Sequence, residues 1–144
     1  MKIKECLTEN PELITPDTTI GEAAKKMSER DIGSLFIKKN EKLVGVVTDR
    51  DIVTRALAKG LNEQSPVSEI MSEGVLYCFQ DDTVDEVAEN LAQNQVHRLP
   101  VLDENKKLVG VVSLGDIARI GGEKDAIASA VTGISQPTKG TSQY

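Results

Sequence analysis

Aromatic residues are scarce in this chain, and tryptophan is absent. Two tyrosines and two phenylalanines make up 3% of the residues, whereas hydrophobic residues together make up 39%. The core must therefore be built from Ile, Val, Leu and Ala side chains rather than from rings. At 144 residues the chain is long enough to bury such a core as one compact domain without disulfides or metals.

Potential metal ligands of the soft type are equally few. The chain has two cysteines, Cys6 and Cys78, far apart and without CxxC spacing, and one histidine, His97. A zinc site of the ordinary Cys/His type cannot be assembled from this set, so no metal is expected. Neither cysteine has a neighbouring base that would activate it, so we expect buried, reduced thiols and no catalytic residue.

Long apolar runs and excess positive charge are also missing. No apolar stretch reaches the roughly 18 residues of a membrane span, and residues 1–6 lack the apolar region of a signal peptide. These features predict a cytoplasmic protein. The net charge of −6, from 23 acidic and 17 basic residues, does not supply the field that nucleic-acid binding needs. Neither a membrane nor a nucleic acid is expected as a partner.

The most informative feature that is present is an internal repeat. Residues 3–39 overlay residues 67–103, and after an extra residue at Glu104 the overlay resumes with residues 40–55 on 105–120. Such a repeat indicates two copies of one structural unit.

The strongest repeated block is Lys-Leu-Val-Gly-Val-Val, at residues 42–47 and 107–112. Each copy is followed by Thr or Ser, two further residues and Asp-Ile, at 48–52 and 113–117. The apolar run predicts a buried strand, and the polar residues after it predict the start of a helix.

Each copy also begins with the same helix signal. Thr19 with Glu22, and Thr83 with Glu86, are capping boxes that start a helix. Apolar residues then recur at helical spacing on one face. The two stripes are Ile20, Ala23, Ala24 and Met27 in the first copy and Val84, Val87, Ala88 and Leu91 in the second.

The remaining elements of each copy follow from shorter signals. Short strands are predicted at 13–15 and 34–37 in the first copy, and at 76–79 and 99–102 in the second. The order per repeat is strand, helix, strand, strand, helix, which is an α/β (α+β) fold. In the closing helices we expect Ile52, Val53, Ala56 and Leu57, and Ile117 and Ile120, to point inward.

The repeats define the organisation of the chain. Residues 1–60 form the first repeat and residues 61–122 the second, and together they make one compact module. Residues 123–131 predict one more short helix, and residues 132–144, rich in Gly, Ser, Thr, Pro and Gln, predict a disordered tail. The apolar side of that helix comprises Ala126, Ile127, Ala130 and Val131.

The doubled unit ending in Gly-Val-Val-(Thr/Ser)-x-x-Asp-Ile resembles a stand-alone tandem pair of cystathionine-β-synthase (CBS) domains, over residues 1–120. The His97-Arg98-Leu99-Pro100-Val101 stretch is similar to segments in the nucleotide-binding repeats of the AMP-activated protein kinase gamma subunit. The resemblance implies two repeats packed with pseudo-twofold symmetry and two clefts that bind AMP, ADP or ATP, or S-adenosylmethionine or a dinucleotide. It also implies a homodimer that regulates a protein partner, with no required cofactor.

The resemblance further assigns roles to the residues that follow each Val-Val pair. Asp51 and Asp116 match the aspartate that accepts hydrogen bonds from both ribose hydroxyls, and Thr48 and Ser113 match the hydroxyl that contacts phosphate. An ionised carboxylate accepts hydrogen bonds without donating any, so it suits a vicinal diol. Both pairs equally fit the pattern of a helix cap, and capping and binding can coexist.

Other implied positions differ between the repeats. Thr15 matches a strand threonine that faces the ligand held by Asp116, and His97 and Arg98 match a pair that reaches phosphates. The place corresponding to Thr15 holds Tyr77-Cys78-Phe79, in which an aromatic ring could stack on adenine. We therefore expect two unequal sites, with Asp116 the stronger.

Two other classes of function remain open. Similarity to inosine monophosphate dehydrogenase is confined to the CBS pair inserted in that enzyme, so dehydrogenase activity is not expected. A structural dimerisation adaptor that binds no ligand is the other alternative, because modules of this kind associate through helices beside the clefts. Dependence of the assembly state on a nucleotide would separate the adaptor from a sensor.

Overall fold

The structure is a computed structural model, and it describes residues 1–9, 11–120 and 124–135. The strands are β1 (Thr8–Glu9), β2 (Leu13–Ile14), β3 (Ser34–Lys39), β4 (Lys42–Thr48), β5 (Cys78–Phe79), β6 (Arg98–Leu102) and β7 (Leu108–Ser113). The helices are α1 (Ile20–Arg30), α2 (Asp49–Asp51), α3 (Val84–Asn94), α4 (Leu114–Ile120) and α5 (Lys124–Ile134). The predicted order of strand, helix, strand, strand, helix is confirmed in both repeats.

The chain divides into two compact units that differ from the two sequence repeats. One, the first-repeat unit, is the continuous segment Glu12–Val75. The other, the second-repeat unit, combines Met1–Pro11 with the described residues that follow Val75. Each unit therefore takes its main strands and helices from one repeat and the first residues of the other repeat. Met1–Pro11 belong to the second-repeat unit, and residues 61–75 belong to the first-repeat unit.

The first-repeat unit contains a three-stranded sheet in the order β2-β3-β4. β2 runs parallel to β3, and β3 runs antiparallel to β4, with Ser34 opposite Thr48. α1 begins where Thr19 Oγ1 accepts a hydrogen bond from the Glu22 amide at 3.1 Å, which confirms the predicted start. The buried core is aliphatic apart from a single methionine: Ile14, Ile20, Ala23, Met27, Leu35, Ile37, Val47, Ala56, Val67 and Ile70.

The segment that follows the first repeat completes this core. Val67 and Ile70 are fully buried in it, and the Val67 amide donates to Thr18 O at 2.8 Å. Ser72 exchanges two backbone hydrogen bonds with Val46 on β4, at 2.9 and 3.0 Å. Residues 61–75 thus pack as part of the first-repeat unit.

The second-repeat unit contains a four-stranded sheet in the order β1-β7-β6-β5. The capping box of α3 is complete, because the Thr83 amide donates to Glu86 Oε2 at 2.9 Å and the Glu86 amide donates to Thr83 Oγ1 at 3.1 Å. Deeply buried aliphatic side chains come from the N-terminal segment and from α3, β6, β7 and α4, namely Ile3, Val87, Leu91, Leu99, Val101, Val112 and Ile117.

The first residues of the chain complete this unit. β1 pairs antiparallel with β7, which places Thr8 opposite Val111 and Glu9 opposite Gly110. The Ile3 amide donates to Asp82 O at 2.9 Å, and the Ile3 side chain is fully buried. Segment exchange between the repeats is therefore supported by strand pairing as well as by side-chain burial.

The repeated glycine of Lys-Leu-Val-Gly-Val-Val has a steric role at this exchange. A Cβ atom on Gly110 would lie 2.5 Å from both Thr8 O and Leu7 Cδ1. On Gly45 it would lie 2.8 Å from Met71 Sδ and 3.0 Å from Ser72 O. Both strands need a residue without a side chain where the exchanged segment crosses them.

Several expectations about inward-facing residues are wrong. In the first repeat Ala56 is buried and Ile52 half-buried, but Val53 and Leu57 are exposed. Residues 52–56 form π-helical turns and residues 57–59 a 3-10 turn, so the 3.6-residue period assumed for this stretch does not apply. In the second repeat Ile117 is buried, whereas Ile120, the last residue of α4, is exposed.

The C-terminal helix is longer than predicted and packs on α3. α5 reaches Ile134, so the expectation of disorder from residue 132 is wrong for residues 132–134, and residues 136–144 lie outside the described residues. Ala130 and Ile134 are buried, but Val131 is exposed. Val131 therefore does not lie on the buried side of α5, contrary to the predicted stripe. Gly133 approaches α3 so closely that a Cβ atom would lie 2.7 Å from Ala92 O.

Both cysteines lie in the second-repeat unit as free, buried thiols, as predicted. Burial, and to a smaller extent the charges of Asp82 and Cys6, raise the pKa of Cys78 to about 12. Burial, followed by the charges of Asp116 and Glu5, also raises the pKa of Cys6. Among the described residues no helix is long and apolar enough to cross a membrane.

We expect both thiols to react slowly with iodoacetamide at pH 8 in the native protein, because a raised pKa lowers the thiolate fraction and burial excludes the reagent. Alkylation followed by mass spectrometry measures the rate, which should rise sharply in urea. A Ser28→Cys variant places a thiol at an exposed position of α1 and serves as the positive control. Labelling of the native wild type as fast as that of the control would contradict the buried assignment.

Candidate ligand-binding site

The polar residues that follow β7 form a closed hydrogen-bonded pair. The Ser113 amide donates to Asp116 Oδ2 at 2.9 Å, and the Asp116 amide donates to Ser113 Oγ at 3.1 Å. This is the geometry of a capping box, so the capping role is present. The Asp116 side chain is 13% exposed, so it is partly accessible to solvent.

The equivalent pair after β4 has the same geometry but is more enclosed. The Thr48 amide donates to Asp51 Oδ2 at 2.9 Å, and the Asp51 amide donates to Thr48 Oγ1 at 3.1 Å. The side chain of Asp51 is 0% exposed, and Thr48 is also buried. The two repeats therefore present the same groups at different depths.

An arginine accompanies each aspartate, and the two arginines come from different helical positions. Arg119, three residues after Asp116, donates from Nη2 to Asp116 Oδ1, and its side chain is 71% exposed. Arg55, four residues after Asp51, lies with Nε 3.6 Å from Asp51 Oδ1, and its side chain is 33% exposed. Both carboxylates are thus paired with a cation.

The strand beside each hydroxyl contributes further groups. Arg98 lies opposite Ser113 in the antiparallel pairing of β6 with β7, and the His97 carbonyl accepts a hydrogen bond from the Leu114 amide at 2.9 Å. The structure thus brings His97 and Arg98 beside Ser113. His97 is exposed and Arg98 half-buried.

In the first repeat the place of Arg98 is taken by Ser34, which lies opposite Thr48. Ser34 is 7% exposed, and its Oγ has no hydrogen-bond partner among the described residues. A buried hydroxyl without a partner is costly, so it is a position where a bound ligand could supply the missing bond.

Thr15 belongs to the first-repeat unit, together with Thr48 and Asp51. It is exposed, and its Oγ1 lies 3.3 Å from Thr18 Oγ1. Thr15 lines a cavity of about 390 Å³ within this unit. The other lining residues are Leu13, Ile14, Lys38, Asn40 and Glu41. The predicted pairing of Thr15 with a ligand held by Asp116 stays a prediction.

The aromatic residues that replace this threonine in the second repeat are at the surface. Tyr77 and Phe79 are both exposed, and their ring centroids lie 5.5 Å apart with an interplanar angle of 85°. Edge-to-face pairing of this kind stabilises both rings in one orientation. Cys78 between them is buried, as expected for alternation along a strand.

Three residues of the site were not predicted from the sequence. Arg119 and Arg55 lie at i+3 and i+4 from the two aspartates, a spacing that brings side chains together on a helix and could have indicated them. Ser34 was visible only as the counterpart of Arg98 in the repeat overlay.

The chemistry available at both places is that of binding a polyol and an anion. Each has a carboxylate that can accept two hydrogen bonds, a hydroxyl, and at least one guanidinium. Within the described ranges no group of three or more His, Cys, Asp or Glu side chains could hold a metal ion. The fold and these groups define a tandem-repeat α/β module that binds small ligands.

The chain belongs to the CBS domain family. The family model of the CBS domain matches residues 3–58 and again residues 67–123. A CBS pair is a regulatory ligand-binding module.

Related proteins support the same assignment. The chain is 36% identical over 133 residues to the CBS domain-containing protein YhcV of Bacillus subtilis, covering 92% of this chain and 94% of that protein. It is 33% identical over 119 residues to inosine-5'-monophosphate dehydrogenase of Methanocaldococcus jannaschii, but it covers only 22% of that enzyme.

Solved structures with the same fold include the CBS domain protein TA0289 of Thermoplasma acidophilum, with a TM-score of 0.80 and 24% identity over 92% of this chain and 75% of that chain. The CBS domain pair of protein MJ0100, in complex with 5'-methylthioadenosine and S-adenosyl-L-methionine, has a TM-score of 0.74 and 33% identity over 86% of this chain and 98% of that chain.

Proposed function

We propose that this protein is a nucleotide sensor that binds an adenosine-type ligand of the AMP, ADP or ATP class, and that it acts by binding rather than by catalysis. Asp116 would accept hydrogen bonds from the ribose hydroxyls, and Ser113, Arg98 and His97 would contact phosphate. Asp51 and Thr48 would form the second, weaker site. A sensor requires the ligand to prefer one arrangement of the protein over another, which a regulated partner then detects.

The observation that carries the proposal is the partly exposed side chain of Asp116 beside Ser113, Arg98 and His97. A carboxylate matches the vicinal hydroxyls of ribose, and an arginine matches a phosphate. The complete enclosure of Asp51 supports the choice of Asp116 as the first site, since a ligand at Asp51 must displace more of the protein.

A second candidate ligand is S-adenosylmethionine or 5'-methylthioadenosine. The structure of the MJ0100 pair, which is 33% identical to this chain, is a complex with both compounds. These ligands share the adenosine group with AMP but carry no phosphate. The same aspartate could hold their ribose, so a binding assay must compare both ligand classes.

Isothermal titration calorimetry with AMP, ADP, ATP, NADH, S-adenosylmethionine and 5'-methylthioadenosine tests the proposal. We expect at least one of AMP, ADP and ATP to bind with a Kd below about 1 mM. Light scattering with and without the bound nucleotide would then report whether the predicted homodimer changes with the ligand. Absence of binding by all six compounds, with an assembly state that none of them alters, would favour the dimerisation adaptor instead.

A further inference from the structure

Arg119 occupies the carboxylate oxygen that a ribose would need. Asp116 Oδ2 already accepts the Ser113 amide at 2.9 Å, and Asp116 Oδ1 accepts Nη2 of Arg119. Two of the roughly four acceptor positions of an ionised carboxylate are thus taken, so a ligand that places two hydroxyls on Asp116 competes with the guanidinium for Oδ1. The ion pair acts as an internal competitor of the ribose.

The exposure of Arg119 makes this displacement feasible. Its side chain is 71% exposed, and ion pairs between exposed groups contribute little to stability. The guanidinium lies over Gly115, where a Cβ atom would be 3.4 Å from Nη1 and 3.6 Å from Ser113 Oγ. Arg119 and Ser113 therefore lie beside the same glycine, one residue before the carboxylate proposed to hold ribose.

The corresponding arginine of the first repeat is fixed in place. Arg55 contacts Asp51 and also donates from Nη1 to Ile70 O at 3.3 Å and to Ser72 Oγ at 3.4 Å. These two partners belong to the exchanged segment that completes the core. Arg55 thus links two parts of the first-repeat unit, whereas the contact of Arg119 lies within a single helix.

We infer that Arg119 is a specificity-determining residue that moves from Asp116 to the ligand phosphate, so that the second repeat selects phosphorylated nucleosides over phosphate-free adenosine compounds. The inference rests on the proposed function and narrows its ligand class. A phosphate gives the displaced guanidinium a new anionic partner with bidentate geometry. Adenosine and 5'-methylthioadenosine displace the same ion pair but offer the guanidinium no such partner.

The test compares AMP with adenosine, which differ only by the phosphate, in the full chain. We expect the wild type to bind AMP at least about tenfold more tightly than adenosine. Arg119→Gln should weaken AMP binding about tenfold while leaving adenosine binding unchanged or stronger, because the competitor of the ribose has been removed. Calorimetry with both ligands gives the ratio of the two Kd values.

Arg30→Gln is the matched control. Arg30 is also an exposed helical arginine paired with a carboxylate, with a 64% exposed side chain and Nη2 3.1 Å from Glu12 Oε2. The Arg30→Gln substitution removes one positive charge, as Arg119→Gln does. The ratio of AMP affinity to adenosine affinity should stay at the wild-type value. Circular dichroism of both variants verifies that each is folded.

The outcomes separate the two proposals. If AMP and adenosine both bind and Arg119→Gln changes their affinities equally or not at all, the role of Arg119 is wrong while the sensor function stands. Equal affinity of the wild type for AMP and 5'-methylthioadenosine would also contradict the role of Arg119 and leave the sensor function standing. If none of these three compounds binds the wild type, and ADP, ATP, NADH and S-adenosylmethionine do not bind it either, the sensor function fails and the inference fails with it.

Discussion

Gly110→Ala should lower the free energy of unfolding by about 2–4 kcal/mol, a large fraction of the stability of a domain of this size. The new Cβ atom would lie 2.5 Å from Thr8 O, a backbone atom of β1 that cannot rotate away. β1 must therefore shift, which strains or breaks its pairing with β7. Urea unfolding followed by circular dichroism measures the effect, since the chain has no tryptophan to report it.

Gly45→Ala is the matched comparison, because Gly45 holds the same position in the first repeat. Its closest contact is Met71 Sδ, the flexible end of a side chain, at 2.8 Å, and we expect a loss of about 1–2 kcal/mol. A Gly110→Ala variant as stable as the wild type, or less affected than Gly45→Ala, would show that β1 does not cross Gly110 as described.

Asp116→Ala should raise the Kd for AMP at least about 100-fold. The substitution removes the acceptor proposed for both ribose hydroxyls, and two hydrogen bonds to a charged group correspond to about 3 kcal/mol or more. Calorimetry with AMP measures the loss. The variant also loses the acceptor of the Ser113 amide, which should weaken the start of α4 by about 1 kcal/mol.

Glu86→Ala controls for that lost cap. Glu86 forms a capping box with Thr83 of the same geometry, in the same unit, at the start of α3. Its removal should cost a similar amount of stability without changing the AMP affinity. If Asp116→Ala binds AMP as the wild type does, the second repeat does not hold the ribose. If Glu86→Ala loses AMP affinity to the same extent as Asp116→Ala, the loss is explained by lower stability and not by a missing ribose acceptor.

Much of the local structure could be predicted because its causes are local. Thr19 and Thr83 cap their helices through residues three positions away, and the apolar stripe of α3 is buried throughout. In α1 the stripe is buried except at Ala24, which is exposed, contrary to the prediction. The repeat doubled each of these signals, which made the order of elements clear. The pairing of Ser113 with Asp116 was likewise visible as a three-residue spacing.

The features that escaped prediction depend on distant parts of the chain. Thr8 and Glu9 are exposed and carry no alternating pattern, so nothing near them indicates that they pair with β7. The exposure of Val53 and Leu57 follows from a π-helical stretch, which hydrophobic periodicity does not distinguish from an α-helix. The difference between Arg119 and Arg55 arises because only Arg55 meets the exchanged segment.

Segment exchange also sets the order in which the chain can fold during synthesis. The first-repeat unit is continuous, so Glu12–Val75 can complete its contacts while later residues are still being added. The leading residues that form β1 must wait for β7, on the order of a hundred residues later, before their backbone groups find partners. β1 is thus placed late although it is synthesised before its partner strand, and a chain that stops short of β7 would leave β1 without a strand to join.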